Sequence, residues 1–265
     1  MVAVVWQDFL ARCYPSVLPP AGRLVLFLSV WAIYIADRMV DVRNPAHENE
    51  STRHRFYRHH GTFAAALLGV VTLADFLAVA LWLRPAVWKN GLIVAALVVL
   101  YMAIFPSRRT RYMRWKQPSA AALFTMGVFL IAWTGTPDAW RTLGAPAAAF
   151  GALCLGNMRL IEHTERERGR RNRGLVPAGK RTLTTILAFA CLVAGRCWWS
   201  SAIAASAAGL VAVDYLGARW PRDAAFSDAA FFDAAFFEQR RVLADLALLT
   251  PLLLRVCIPD AYLPR

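Results

Sequence analysis

An all-α fold of about nine membrane-crossing helices is what this sequence predicts, and three observations carry the prediction. The 265 residues are 58% hydrophobic with a mean hydropathy of +0.42, above the composition of a soluble domain, which is roughly half apolar. Apolar runs of about 17–22 residues recur along the whole chain, each long enough to cross a ~30 Å hydrocarbon core as a helix. Between them lie short charged segments whose basic residues fall mostly on alternate sides. In lipid the backbone must satisfy its own hydrogen bonds, so these runs are expected as helices, and the alternation of a membrane barrel is absent.

Pro and Gly mark the boundaries. Spans are expected near 2–18, 21–42, 61–83, 88–106, 118–135, 142–163, 181–198, 199–217 and 241–258. The breakers are Pro19-Pro20, Pro85, Pro106, Pro118, Pro137 and Pro221. The first span is the weakest, since Asp8 and Arg12 interrupt it and no basic residue precedes it, which also argues against a cleavable signal peptide. The seventh and eighth are nearly continuous and require a tight turn near Arg196–Ser200. The helices leave no room for a soluble domain, so residues 1–265 read as a single transmembrane helical domain.

Topology follows from charge. The segments after the second, fourth, sixth and eighth spans, with the adjoining helix ends, hold 22 of the 30 basic residues, and the opposite side holds 8. By the positive-inside rule the richer side is cytoplasmic. The expected location is therefore an integral, multi-pass protein, of the bacterial inner membrane, with its charged face in the cytoplasm. The net charge of +13 then needs no nucleic-acid partner, and the chain has no soluble basic fold to dock on a duplex. Membrane lipid is the partner that the basic segments predict. Cys13, Cys154, Cys191, Cys197 and Cys257 form no CxxC pair and read as small core residues. Asp223, Asp228 and Asp233 open a repeated Asp-Ala-Ala-Phe unit. Its five-residue period turns a helix by about 140°, so the acids share no face.

Two clusters can carry chemistry. The cytoplasmic end of the second span contains Tyr34, Asp37 and Asp41; the acids are i and i+4, so both carboxylates project from one helix face. Adjacent carboxylates repel unless a cation lies between them, and such pairs are the usual protein contribution to Mg²⁺ sites completed by phosphates and water. The cytoplasmic end of the sixth span carries Asn157, Glu162 and Glu165, a second row of oxygen donors at the same membrane face. Each has a plainer reading as a charged helix exit, with Arg38 and Arg43 neutralising the first and Arg166 the second. Basic residues surround both: Arg108, Arg109, Arg114 and Lys116 before the fifth span, and Lys180 and Arg181 before the seventh. Guanidinium forks bind phosphate oxygens, although most of these charges are also explained by topology and anionic lipid. Asp75 lies in an apolar span with no evident partner in the sequence.

With those residues in place, the layout resembles the UbiA superfamily of intramembrane prenyltransferases. That family has nine helices and two aspartate-rich motifs, on helices 2 and 6, facing the cytoplasm. Its first motif reads roughly N-D-x-x-D-x-x-x-D. Asp37 and Asp41 match its last two acids, whereas Ile33 and Tyr34 stand at the Asn and first Asp positions. The stretch from Asn157 to Glu165 occupies the place of the second motif, and Arg108 to Lys116 is similar to the family's basic loop after helix 4. The resemblance implies a UbiA-like bundle and Mg²⁺-dependent transfer from a polyprenyl diphosphate to a lipophilic acceptor. On that reading Asp37, Asp41, Asn157, Glu162 and Glu165 hold the metal. Asp37, Asp41 and Tyr34 are the catalytic set, and Arg108, Arg109, Arg114, Lys116, Lys180 and Arg181 bind the diphosphate. Terpene cyclisation on the same scaffold, or a non-catalytic membrane protein or transporter retaining it, are the alternatives. No G-x-S-x-G or H-E-x-x-H motif points to an intramembrane hydrolase.

Overall fold

The computed structural model describes residues 2–14, 18–42, 57, 59–105, 110–136, 138–169, 198–219, 242–249 and 251–252. For residues 41–42, 110–114, 163–169, 198, 214 and 216–219 it describes the backbone alone. Among the described residues seven helices follow one another and no strand occurs. They are α1 (Val2–Cys13), α2 (Pro20–Val42), α3 (Gly61–Trp82), α4 (Pro85–Ile104), α5 (Thr110–Gly135), α6 (Ala139–Gly169) and α7 (Trp198–Arg219). A further helical segment covers 242–247. Among the described residues three stretches are long and apolar enough to cross a membrane: Gly61–Trp82, Pro85–Ile104 and Trp115–Gly135; Trp199–Val213 is a shorter apolar helix. The chain is therefore all-helical over these residues and suited to integral membrane insertion. The expected seventh span, 181–198, lies outside the described residues except for its last position.

Three boundaries differ from expectation. Helix α1 stops at Cys13 instead of reaching 18, since Tyr14 precedes Pro15 and a residue before proline is pushed out of the α region. At 12 residues it is roughly 18 Å long, short of the ~30 Å hydrocarbon core. Helix α5 starts at Thr110, eight residues before the expected 118, because Pro118 lies inside the helix and does not begin it. Proline in an interior position removes one backbone hydrogen bond, which membrane helices tolerate where neighbouring groups re-satisfy the freed carbonyl. Arg114 and Lys116 are consequently on a helix and not in a loop. Helix α6 continues through Glu165 to Gly169, so the expected loop beginning at 164 opens as helix.

The chain forms two compact units, the first essentially residues 16–139 and the second residues 4–15 with 140–265. In the first, α2 packs along α3 and touches α5, and α4 packs on α5. The buried residues of α3 are Ala64, Val71 and Ala78, seven apart, so one narrow line of small side chains meets a neighbour. Around that line Phe63, Val70, Leu73, Phe76 and Leu81 are exposed, as on a helix that faces lipid on its other sides. In the second unit α6 buries Leu143, Pro146, Phe150, Leu153, Asn157 and Leu160, alternating three and four apart in a heptad-type stripe. Helix α7 contributes Trp199, Ala202, Ile203, Ser206, Ala207 and Leu210 on a similar spacing. Buried Trp6 of α1 stacks at 4.8 Å on Phe150 and donates its indole N–H to the Leu248 carbonyl at 2.9 Å.

Candidate active site

Helix α2 runs unbroken from Pro20 to Val42, with no proline after its first residue and no glycine after Gly22. Near its C-terminal end Ile35 is buried and fixes which side meets the core. Asp37 is two residues on, about 200° around the helix, and therefore projects from the opposite side. Its side chain is 29% exposed, consistent with a carboxylate at the margin of an apolar body. The backbone of Asp41 is helical, which sets the two acids one turn apart on one face, as the spacing predicts. The side chain of Asp41 lies outside the described residues.

Arg38 sits between the two acids in sequence and is the organising cation of this helix end. Its Nη2 is 3.7 Å from Asp37 Oδ2, an ion pair too long for a hydrogen bond. Its guanidinium carbon lies 5.3 Å from the centre of the Tyr34 ring, one turn back on the same helix. The face of Tyr34 thus already accepts a cation, through the attraction of positive charge to the ring quadrupole. Tyr57, from the segment following α2, belongs to the same cluster. Burial first, and then the neighbouring Tyr34, raise its hydroxyl above the ordinary tyrosine value, while the positive charge of Arg38 opposes the shift. Nothing in sequence spacing links Tyr57 to Tyr34; the signal that could have found it is the aromatic pair Phe56-Tyr57 inside a basic run.

Asn157 and Glu162 belong to the second unit, both on α6. Asn157 occupies a core position of the heptad stripe, is 8% exposed, and its Oδ1 is buried without a hydrogen-bond partner. A buried amide oxygen left unmatched is costly, and it is the kind of atom that a cation or a ligand donor satisfies. Glu162 is partly exposed on the charged extension of the helix. The Glu165 side chain lies outside the described residues, as does that of Arg114; Arg108, Arg109, Lys180 and Arg181 lie outside them entirely. Lys116 is half-buried on α5, in the unit that holds Asp37. Among the described residues no group of three His, Cys, Asp or Glu side chains is placed to hold a metal ion.

The unmatched Asn157 oxygen leads to a stability prediction. Asn157→Leu should raise the melting temperature of the ligand-free protein, by an amount corresponding to about 1–3 kcal/mol, because a dry polar atom is replaced by an apolar one of similar size. Thermal unfolding of the detergent-solubilised chain measures this. A destabilised variant would mean that the amide is satisfied by the fold itself.

The sequence left the surroundings of several polar residues undetermined. Asp75 accepts a 2.7 Å hydrogen bond from Ser29 Oγ, joining α3 to α2 forty-six positions away. Gln7 is buried on α1 with its Oε1 unpartnered, and Asp8 beside it pairs with Arg12 at 3.3 Å. No protein-family model matches the chain, and comparison with curated proteins and with solved structures likewise gives no match.

Proposed function

We propose that the chain is an intramembrane prenyltransferase that uses Mg²⁺ to transfer a prenyl group from a polyprenyl diphosphate to a lipophilic acceptor. The observation that carries this reading is the end of α2. A partly exposed carboxylate, one turn from a second, stands beside an arginine and a tyrosine ring at the margin of an otherwise apolar helical body. The donor chemistry fits the ion: Mg²⁺ is ordinarily held by one or two carboxylates, with substrate phosphates and water completing its shell, and not by an all-protein cage. Asp37 and Asp41, one helical turn apart, would hold it. When bound, the ion would neutralise charge on the diphosphate leaving group.

The chain's own residues supply the rest. Arg108, Arg109, Arg114, Lys116, Lys180 and Arg181 are the basic groups proposed to grip the diphosphate oxygens. Cleavage of the allylic C–O bond sends its electron pair to the diphosphate and leaves a carbocation on the prenyl carbon. Tyr34 would shield that charge through its ring; its contact with the Arg38 guanidinium supports an affinity of this aromatic group for cations. The acceptor attacks the cation and releases a proton. Apolar helices such as α3 and α4 exclude water from the reacting carbon. The distribution of basic residues favours placing this helix end at the cytoplasmic face.

The test is incubation of the purified chain, in lipid, with labelled prenyl diphosphates of increasing length and a quinone-precursor phenol as acceptor. Diphosphate release that requires Mg²⁺ and stops on chelation is expected. Absence of both release and ligand-induced thermal stabilisation across the series would favour the non-catalytic reading.

A further inference from the structure

We propose that Asp75 and Ser29 form a proton-binding site inside the membrane, with the proton carried on Asp75 Oδ1. The site is independent of prenyl transfer and lies on a different stretch of α2 from Asp37. The whole of α3 contains one ionisable residue, Asp75. Its position is set by the packing line of the helix: Val71, Asp75 and Ala78 follow at i, i+4 and i+7, so the carboxyl projects toward α2 and away from the surrounding apolar surface.

The two carboxyl oxygens have different surroundings. Oδ2 accepts the Ser29 hydroxyl at 2.7 Å. Oδ1 is buried and has no hydrogen-bond partner. An ionised carboxylate spreads its charge over both oxygens, so half of it would lie on a dry atom in a membrane helix, where uncompensated charge is strongly disfavoured. Among the described residues, no basic residue of the packed helices stands level with the site to offset that charge. On α2 the ionisable residues are Arg23, Tyr34, Asp37, Arg38 and Asp41, each five or more residues from Ser29 and so at least roughly 7 Å along the axis. On α5, which touches α2, Arg111, Arg114 and Lys116 precede the apolar stretch and none follows within it.

A proton meets the requirement and a metal ion does not. Magnesium and calcium complete a shell of six or more oxygens by keeping water or binding phosphate, which an oxygen buried between apolar helices is poorly placed to allow. The pair offers two carboxyl oxygens and one hydroxyl, and the hydroxyl is already committed as a donor. A single proton on Oδ1 removes the charge and makes Oδ2 the carbonyl oxygen, the better acceptor for Ser29. The geometry therefore assigns the two oxygens distinct roles, O–H and C=O.

Infrared spectroscopy of the full chain in lipid bilayers at neutral pH tests the assignment. The difference spectrum between wild type and Asp75→Asn should show the carbonyl stretch of a protonated carboxyl, with the small downshift in heavy water that marks an exchangeable O–H. In Ser29→Ala the same band should persist and move to higher frequency, because the carbonyl has lost its hydrogen bond. Carboxylate bands in place of the carbonyl band would overturn the proposal. Should Asp75→Asn fail to insert, the Ser29→Ala difference against wild type still decides. A shifted carbonyl band supports the site, and shifted carboxylate bands or no shift in either region overturn it.

Discussion

Asp37→Asn is expected to lower Mg²⁺-dependent diphosphate release by roughly 100-fold or more, the scale seen when one preorganised electrostatic group is removed from an active site, while leaving the protein folded. The small structural effect follows from the geometry. The ion pair of Asp37 with Arg38 is long and its side chains are 29% and 22% exposed, so it contributes no more than about 1 kcal/mol. Asp37 and Asp41 on one helix face also repel, and the asparagine relieves that repulsion, so the metal-free variant should melt within a few degrees of wild type and can melt slightly higher. Ligand linkage separates a site from a charged helix end. Mg²⁺ with inorganic diphosphate at a hundred times the dissociation constant should stabilise wild type by about 2.7 kcal/mol and should not stabilise Asp37→Asn. Arg38→Ala is the counterpart. If Arg38 serves only to neutralise the acids, its loss lowers the melting temperature without ligand. Equal stabilisation of wild type and Asp37→Asn by the ligand would remove this helix end from the catalytic argument.

The helices that sequence placed well are those bounded by residues with a single physical meaning. Pro19-Pro20, Gly61 and Pro85 each begin or precede a helix, and α2, α3 and α4 start within three residues of expectation. Pro118 does not have that meaning, because a membrane helix can carry proline internally, and α5 is accordingly longer than the breaker suggests; α6 is longer because its charged end, through Glu165, continues as helix. The i,i+4 relation of Asp37 and Asp41 was legible because it depends on helical geometry alone. The core position of Asn157 was not: the sequence groups it with Glu162 and Glu165 as a polar row, whereas it is buried in a stripe with Leu143, Phe150, Leu153 and Leu160. The Ser29–Asp75 bond was not, since no local rule connects residues on two helices across an intervening charged segment. The same holds for Trp6 and Leu248, which are 242 positions apart. What sequence periodicity supplies is the face a residue occupies; which face of which other helix it meets is decided by packing.

Trp6→Ala is expected to be the most destabilising single substitution in the second unit, by about 5 kcal/mol. Trp6 is fully buried, and truncating a buried aromatic residue to alanine costs about 3–5 kcal/mol through lost transfer free energy and the cavity left behind. Two further losses add to it. The ring is tilted at 52° against Phe150 with centroids 4.8 Å apart and meets Phe9 edge-on at 6.1 Å, and such pairs contribute about 0.5–1.5 kcal/mol beyond area alone. The Leu248 carbonyl, buried with its residue, loses the indole donor at 2.9 Å, which costs about 1–3 kcal/mol if nothing replaces it. These terms overlap, so their sum is an upper bound. Trp6→Phe retains most of the packing and deletes the N–H, and should cost about 1–2 kcal/mol, which isolates the hydrogen bond. The physical reason for so large an effect is the length of α1. A helix of 12 residues has little stability of its own and is too short to be held by crossing the bilayer, so its order depends on what its buried face touches. Hydrogen exchange resolved to peptides measures this directly. In Trp6→Ala the amides of residues 2–13 should lose protection together with those of 242–249, whereas α3 and α4, which belong to the other unit, should keep theirs. Unchanged protection of residues 2–13 in Trp6→Ala would show that α1 is anchored by its other buried side chains, Phe9 and Leu10 foremost, and that the tie to Leu248 is dispensable.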